Sequence, residues 1–451
     1  MKLNDNIRLK RILRVLFTLV LTCVMVGIAA HMLERKDGDI KYRAFLEEEN
    51  NYDILFMGTS HVIDAVYPME LWHDSGYTSY NLANHSTTLA ASYWMLVNAL
   101  DHTEPRLVVI DCYGLNENEK ITNYSYTHQA FDAFPLSINK IKTAFDLTDM
   151  YEEYDPLELL FDFSLYHSRW NELGKSDFDT EYNAERGSEH LIALATPVEY
   201  EWIDPDEKMQ ERTIGWEYLE RMIKECQSRN IEVLLTWVPY PPHRAEAQAA
   251  AHSVYDIAEE YGVDYIDFWD MDLVDFETDL SDEDSHLNPS GGLKVTDCIG
   301  QYIDDNLALA DHRNEEGYEG WHRDEMEYAQ DKKDNLIYET DPVIYLMLAA
   351  DDDFDIKLEW NDYSSLDTDR YASLFENLGL ESDSARQSAT QYISGRRSDR
   401  SVEYREECEL DLDQAYDVSI TLYDADSGEQ FDNVWLDYDA SGESTISHIY
   451  Y

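Results

Sequence analysis

Two stretches of this chain hold the residue types that nucleophilic acyl chemistry needs. The first is Asp53-Ile54-Leu55-Phe56-Met57-Gly58-Thr59-Ser60-His61. Its apolar run into a glycine and a small polar residue predicts a buried strand ending in a tight turn. A serine there sits at the carboxyl end of a strand, where open α/β sheets place their ligand crevice. The second stretch is Ser281-Asp282-Glu283-Asp284-Ser285-His286-Leu287-Asn288-Pro289. It supplies a histidine with acids just before it and a helix start just after. Serine is a weak nucleophile until a base takes its proton, and the base needs an orienting group. Ser60 is the candidate nucleophile and His286 the candidate base, since an imidazole can take up a proton and return it. The competing readings are structural: Ser60 as a helix N-cap, His286 as a solvated loop residue, and Asp282, Glu283 and Asp284 as an acidic loop.

Gly58-Thr59-Ser60-His61 resembles the first block of the SGNH/GDSL hydrolases, in the variant of the DltD-like and alginate O-acetyltransferase-like membrane-anchored cell-surface proteins. Glu283-Asp284-Ser285-His286 resembles the last block, Asp-x-x-His. The likeness covers about residues 50–310, and the order of the two blocks, after a strand and before a helix, adds to it. It implies a Ser-His-acid site. The family aspartate falls on Glu283, while Asp284 lies one position closer; spacing favours Glu283 as the orienting acid. The resemblance also implies backbone and side-chain donors for an oxyanion. The Ser60 N–H is one. Ala83 stands where the family has its second-block glycine. Gly114-Leu115-Asn116-Glu117 resembles the third block, so Asn116 is a further candidate donor and Asn84 its competitor. His61 and His85 are candidates to line the pocket.

The chain has 451 residues, 34 basic against 94 acidic, a net charge of -60. Its length allows two or three domains, and its apolar share of 44% a large core. So acidic a surface argues against nucleic-acid binding, which needs a basic face, and reads as a solvating exterior. Cys23, Cys112, Cys226, Cys298 and Cys408 are scattered and odd in number. They read as small apolar residues, not a disulfide framework or a zinc site. No metal-ligand spacing and no Gly-rich phosphate loop is present, so neither a metal nor another cofactor is expected.

The elements that must hold these residues can be taken in chain order. Residues 1–14 form a basic tail, and 15–33 an apolar run long enough to cross most of a bilayer core of about 30 Å. The positive flank places the N-terminus in the cytoplasm and the rest outside. A cleavable signal peptide is the rival reading. A charged linker, 34–50, leads to an SGNH-hydrolase-like domain at 51–310. There, strands at 53–57, 80–86, 106–112, 231–238 and 263–268 alternate with helices at 89–100, 213–230, 244–261 and 291–306. That alternation implies a three-layer α/β domain with a parallel sheet. Residues 120–210, aromatic and acidic, read as an insertion packing over the crevice, with Trp170 and Tyr182 as core aromatics. Residues 311–335 read as a charged linker or surface helix, and 336–451 as an accessory α+β domain, with strands at 343–348, 354–360, 418–422 and 434–436 and a helix at 371–378.

The expectation is therefore a single-pass extracytoplasmic serine esterase or O-acyltransferase, working on acyl esters of cell-envelope glycopolymers. Its partners would be the membrane, an acylated polysaccharide or teichoic-acid-like polymer, and an acyl-donor membrane protein. The alternatives are an inactive SGNH-fold binding or assembly protein, and a phosphate-cleaving or metal-dependent enzyme, which no motif supports.

Overall fold

The computed structural model describes residues 2–33, 40–48, 50–161, 163–177, 184–362, 387–394, 401–405, 418–425, 427–438 and 444–450. The chain opens with one long helix, α1 (Lys2–Leu33), whose apolar stretch Lys10–Ala30 is wholly unburied. At 1.5 Å per residue its 21 residues span about 32 Å, enough to cross a bilayer. A short helix, α2 (Ile40–Glu47), follows and packs Tyr42 and Phe45 into the core.

The first sheet forms because its inner strands are apolar and can be covered on both faces. β1 (Ile54–Met57) leads through α3 (Ser60–Ile63) and α4 (Pro68–Ser75) to β2 (Ser79–Asn81). α5 (Leu89–Ala99) then leads to β3 (Leu107–Asp111). An insertion follows, with α6 (Tyr124–Phe131), α7 (Ile138–Thr148) and α8 (Phe163–Tyr166). The alternation resumes with α9 (Ile214–Ser228), β4 (Glu232–Trp237), α10 (Ala245–Tyr261), β5 (Asp264–Asp267) and α11 (Pro289–Asn306). All four pairings are parallel, in the order β2-β1-β3-β4-β5. Leu55 and Met57 point into a core shared with α5, α9 and α10, while Ile54 and Phe56 point into a second core shared with α3 and α11. Residue-by-residue alternation into two cores is what a sheet buried on both faces requires.

The local signals that start and stop these helices are visible in the residues. The Thr213 hydroxyl caps α9, accepting from the Trp216 N–H at 3.1 Å. Gly262 ends α10 with φ of 63°, a left-handed C-cap. The Asn288 side chain caps α11, with Pro289 in the first turn.

Beyond the sheet, α12 (Glu319–Tyr338) occupies the segment read as charged linker or surface helix, and Trp321 and Tyr328 on it enter the first core. α13 (Pro342–Asp351) overturns an expectation: Val343–Leu348, read as a strand, is helical. Asp341 caps it, accepting from the Val343 N–H at 2.8 Å, and Pro342 takes the first turn. An apolar run of six fits a buried helix as well as a strand, and the cap decides. The second sheet follows, built from β6 (Phe354–Asp362), β7 (Gln387–Ser394), β8 (Ser401–Arg405), β9 (Val418–Asp424), β10 (Gln430–Tyr438) and β11 (Ser444–Tyr450). It is antiparallel, in the order β11-β10-β9-β6-β7-β8, with α13 on its core face. The helix expected at 371–378 lies outside the described residues, as do Tyr182 and Cys408. Trp170, expected in the core, is 73% exposed. Cys112 and Cys226 are buried and free, and Cys23 is exposed on α1.

Gly58, between β1 and α3, is a tight point of this frame. A Cβ there would lie 2.4 Å from Val62 Cγ2 and 3.0 Å from Asp111 Cβ. The Gly58→Ala variant should therefore be overpacked and lose about 1–3 kcal/mol of stability. Chemical denaturation of the two proteins checks this, and an unchanged midpoint would mean that α3 can move off the strand freely.

Candidate active site

Ser60 begins α3, directly after β1 and the Gly58-Thr59 turn. The strand order changes direction at β1, with β2 on one side and β3 on the other, which is where doubly wound sheets open a crevice. The Thr59 hydroxyl caps α3 by accepting from the His61 N–H at 3.4 Å. Ser60 is thereby held at the first helical position. Its own N–H finds no acceptor among the described residues, as the first amides of a helix ordinarily do not.

His286 arrives from the other end of the sheet. A bridge between Leu280 and Leu287 closes the loop that carries it, and the Ser281 N–H donates to the His286 carbonyl at 2.9 Å. Asn288 braces the base of the loop by donating to the Thr278 carbonyl at 2.7 Å. The result is a 2.8 Å contact between His286 Nε2 and Ser60 Oγ, across 226 residues of chain.

The acid on the other ring nitrogen is Asp282, whose Oδ2 meets His286 Nδ1. It stands in place of Glu283, which family spacing favours, and of Asp284, one position closer. Asp282 Oδ1 accepts from the backbone N–H groups of Asp284 (3.2 Å), Ser285 (2.7 Å) and His286 (3.0 Å). The loop thus curls around its own aspartate, an Asx-type turn, and four residues of separation become a direct contact. Glu283 instead meets the segment 189–198, its carbonyl accepting from the Val198 N–H at 2.9 Å. The Asp284 carboxylate accepts from the Ser285 hydroxyl at 2.9 Å. Burial pushes the Asp282 pKa up, but the bonds from the His286 ring and the turn amides outweigh it and hold the carboxyl below its usual range. With Asp282 ionised, Nδ1 carries the proton and Nε2 is free to accept from the Ser60 hydroxyl.

Two of the expected oxyanion donors, Ala83 and Asn84, are otherwise engaged. The Ala83 N–H donates to Asn81 Oδ1 at 3.2 Å. The Asn84 N–H donates to the Gly58 carbonyl at 3.1 Å, and its side-chain amide to the Tyr126 carbonyl at 2.9 Å. Asn116 and Gly114 belong to the turn that receives the start of α9: the Thr213 hydroxyl donates to the Leu115 carbonyl. Neither is hydrogen-bonded to Ser60 or His286 among the described residues. The Ser60 amide is a donor this arrangement leaves open.

His61 does line the site. Its ring lies 5.5 Å from that of His286, 4.3 Å from Tyr113 and 4.9 Å from Tyr240. Burial, then the neighbouring His286, drives its pKa down to about 3, so it is a neutral wall behind the base. His85 pairs with Glu189 at 3.6 Å, on the β2 side.

Sequence reasoning missed Asp64. It caps the end of α3, its N–H donating to the Ser60 carbonyl at 3.1 Å. Its carboxyl is 1% exposed, neither oxygen accepts a hydrogen bond, and Oδ2 lies 3.9 Å from His286 Nε2. Burial, then the charge of Glu189, pushes it up to about 8, against the pull of Lys41. Lys41, which donates to the Ala83 carbonyl at 2.6 Å, is driven down to about 7 by burial. The signal in sequence was slight: a lone acid four residues after the serine, inside an apolar run. A cavity of about 480 Å³ lies elsewhere, lined by Asp74, Asp297, Asp304, Glu325 and Asp352, and none of Ser60, His286 or Asp282 lines it.

No protein-family model and no curated relative matches the chain. Two solved structures that resemble it are a candidate acylhydrolase from Bacteroides fragilis and a GDSL-like lipase from Bacteroides thetaiotaomicron. Each is 12% identical with a TM-score of 0.30, over 60% of this chain and 95% or 99% of the other. So distant a likeness leaves the case to the geometry.

Asp64 makes a testable statement about pH. Its folded pKa is raised, so it binds its proton more tightly folded than unfolded, and its contribution to stability is complete below an unfolded pKa of 3.8 and lost as pH rises through about 8. Lys41 has the opposite sign, but only above about 7. Between about pH 5 and 7 wild type should therefore lose stability relative to Asp64→Asn, by up to about 1.4 kcal/mol per pH unit. Denaturant midpoints across that range test it; parallel curves would show that Asp64 is ionised in the folded chain.

Proposed function

We propose that this chain is a membrane-anchored serine esterase or O-acyltransferase of SGNH type, its domain outside the cytoplasm, acting on acyl esters of cell-envelope glycopolymers. The observation that carries the reading is the unbroken relay Ser60 Oγ, His286 Nε2, His286 Nδ1, Asp282 Oδ2. The parallel five-stranded sheet, with Ser60 just beyond the end of β1 where the strand order reverses, supports the fold assignment. The basic residues in the first half of α1 and its uncovered apolar stretch support the anchoring.

In this mechanism Ser60 Oγ attacks the acyl carbonyl carbon as its proton passes to His286 Nε2. The new positive charge on the imidazole faces the Asp282 carboxylate, which fixes the ring and stabilises it. The Ser60 N–H donates to the oxyanion as the carbonyl π electrons move onto oxygen. Collapse of the tetrahedral intermediate breaks the bond to the leaving alkoxide, which takes the proton from Nε2. The acyl-enzyme is then attacked by water, giving hydrolysis, or by an acceptor hydroxyl, giving transfer. In either case His286 again takes the proton and returns it to Ser60.

One observation favours the second reading, an SGNH-fold binding or assembly protein without turnover. Ala83 and Asn84 spend their amides inside the chain, leaving fewer oxyanion donors than acyl transfer ordinarily uses. A fluorophosphonate separates the two. The full chain should be labelled, with the adduct on Ser60, and Ser60→Ala should not be labelled. An adduct elsewhere would remove Ser60 as the nucleophile, and a folded chain that stays unlabelled would favour the binding protein.

A further inference from the structure

α7 should bury its outer side if it belonged to an ordinary soluble domain. Its inner side does what is required: Ala144 and Leu147 are buried, and Lys140 reaches the Asp132 and Phe134 carbonyls at 3.2 and 2.7 Å. Its outer side is apolar as well. Ile138 (73% exposed), Ile141 and Phe145 (53% exposed) stand three and four residues apart, on one face of the helix. Leu136 precedes them, and Trp170 in the same insertion is as exposed as Ile138. Stripes of this kind on both sides of a helix mark a second apolar environment.

The position of this insertion says what that environment is. Arg169, beside Trp170, donates to the carbonyl of Leu33, the last residue of α1, at 3.0 Å. The Tyr166 hydroxyl donates to Asp132 at 3.0 Å, and the Asp132 carbonyl takes the Lys140 ammonium of α7. These polar contacts, joined by the chain from Tyr166 to Arg169, tie α7 to the end of the apolar helix. Resting on the reading of α1 as a membrane anchor, we infer that α7 and Trp170 lie in the bilayer interface, with the apolar stripe of α7 among the acyl chains. An amphipathic helix at that depth buries its apolar face at the headgroup boundary, and a tryptophan is at home there. Lys142, exposed on the same side, is placed to snorkel toward the headgroups.

The bilayer also lies near the site by covalent reach. Lys41, which contacts the Ala83 carbonyl, is eight residues after Leu33, at most about 28 Å of extended chain. The Asn84 N–H, next along, holds the Gly58 carbonyl two residues before Ser60. A site so tethered meets esters at the membrane surface: lipid-borne acyl groups, or polymers attached there.

The test uses the full chain in phosphatidylcholine nanodiscs, with a diazirine-bearing amino acid in place of Ile141, Phe145, Val20 or Met326, one at a time. Val20 lies in α1, and Met326 is an exposed apolar residue on α12. Photolysis and mass spectrometry should give phosphatidylcholine adducts at 20, 141 and 145 and at least ten-fold less at 326. Adducts at 20 but not at 141 or 145 would overturn this inference and leave the anchor standing. No adduct at 20 would overturn the anchor itself. Crosslinks from 145 to a second copy of the chain would assign the stripe to self-association, and lipid adducts at 326 equal to those at 145 would mean indiscriminate contact; either contradicts the inference.

Discussion

The Asp282 carboxylate organises the loop and the base at once. One oxygen gathers three backbone amides and fixes the turn; the other holds the imidazole of His286. Neither task would succeed alone. Without the turn, His286 would sit on a free six-residue loop, and ordering it would cost conformational entropy at each encounter. Without the ring contact, the tautomer that lets Nε2 accept from Ser60 would not be fixed. The parallel sheet supplies the rest, bringing the ends of β1 and of the chain before α11 to one edge.

A negative charge on one side of His286 is matched by a neutral acid on the other. Asp282 is held ionised by hydrogen bonds, whereas Asp64 is pushed toward its protonated form by burial. Two carboxyls around one imidazole have been driven apart by environment, as acid and base pairs are in other active sites. Neutral Asp64 does not compete with Ser60 for the proton on Nε2. His61, also neutral, adds an apolar wall rather than a second base.

Much of this was legible in the residues because it is local. Buried strands of apolar residues, the Gly58-Thr59-Ser60 turn, the Thr213 cap, the Gly262 stop and the Asn288-Pro289 start each write their structure within a few positions. The histidine partner of Ser60 was legible for the same reason, as a loop before a capped helix. What was not legible depended on contacts between distant segments or on the exact path of a turn. Asp282 lies four residues from His286, and only the Asx turn brings it closer than Glu283. The fate of the Ala83 and Asn84 amides depends on Asn81 and on the β1 backbone. Val343–Leu348 offered an apolar run without a period, and Asp341 with Pro342 was the signal that it is helical. Trp170 is exposed, and its neighbour Arg169 meets the end of α1, a contact that no local pattern records.

The central claim is that Asp282 orients His286 for Ser60, and turnover of an aryl acetate by acid variants tests it most directly. Asp282→Asn should lower kcat by up to about ten-thousand-fold, the scale seen when the orienting acid of a serine triad is neutralised. Glu283→Gln and Asp284→Asn should each stay within a few-fold of wild type. The opposite ranking, with Glu283→Gln severe and Asp282→Asn mild, would contradict the account.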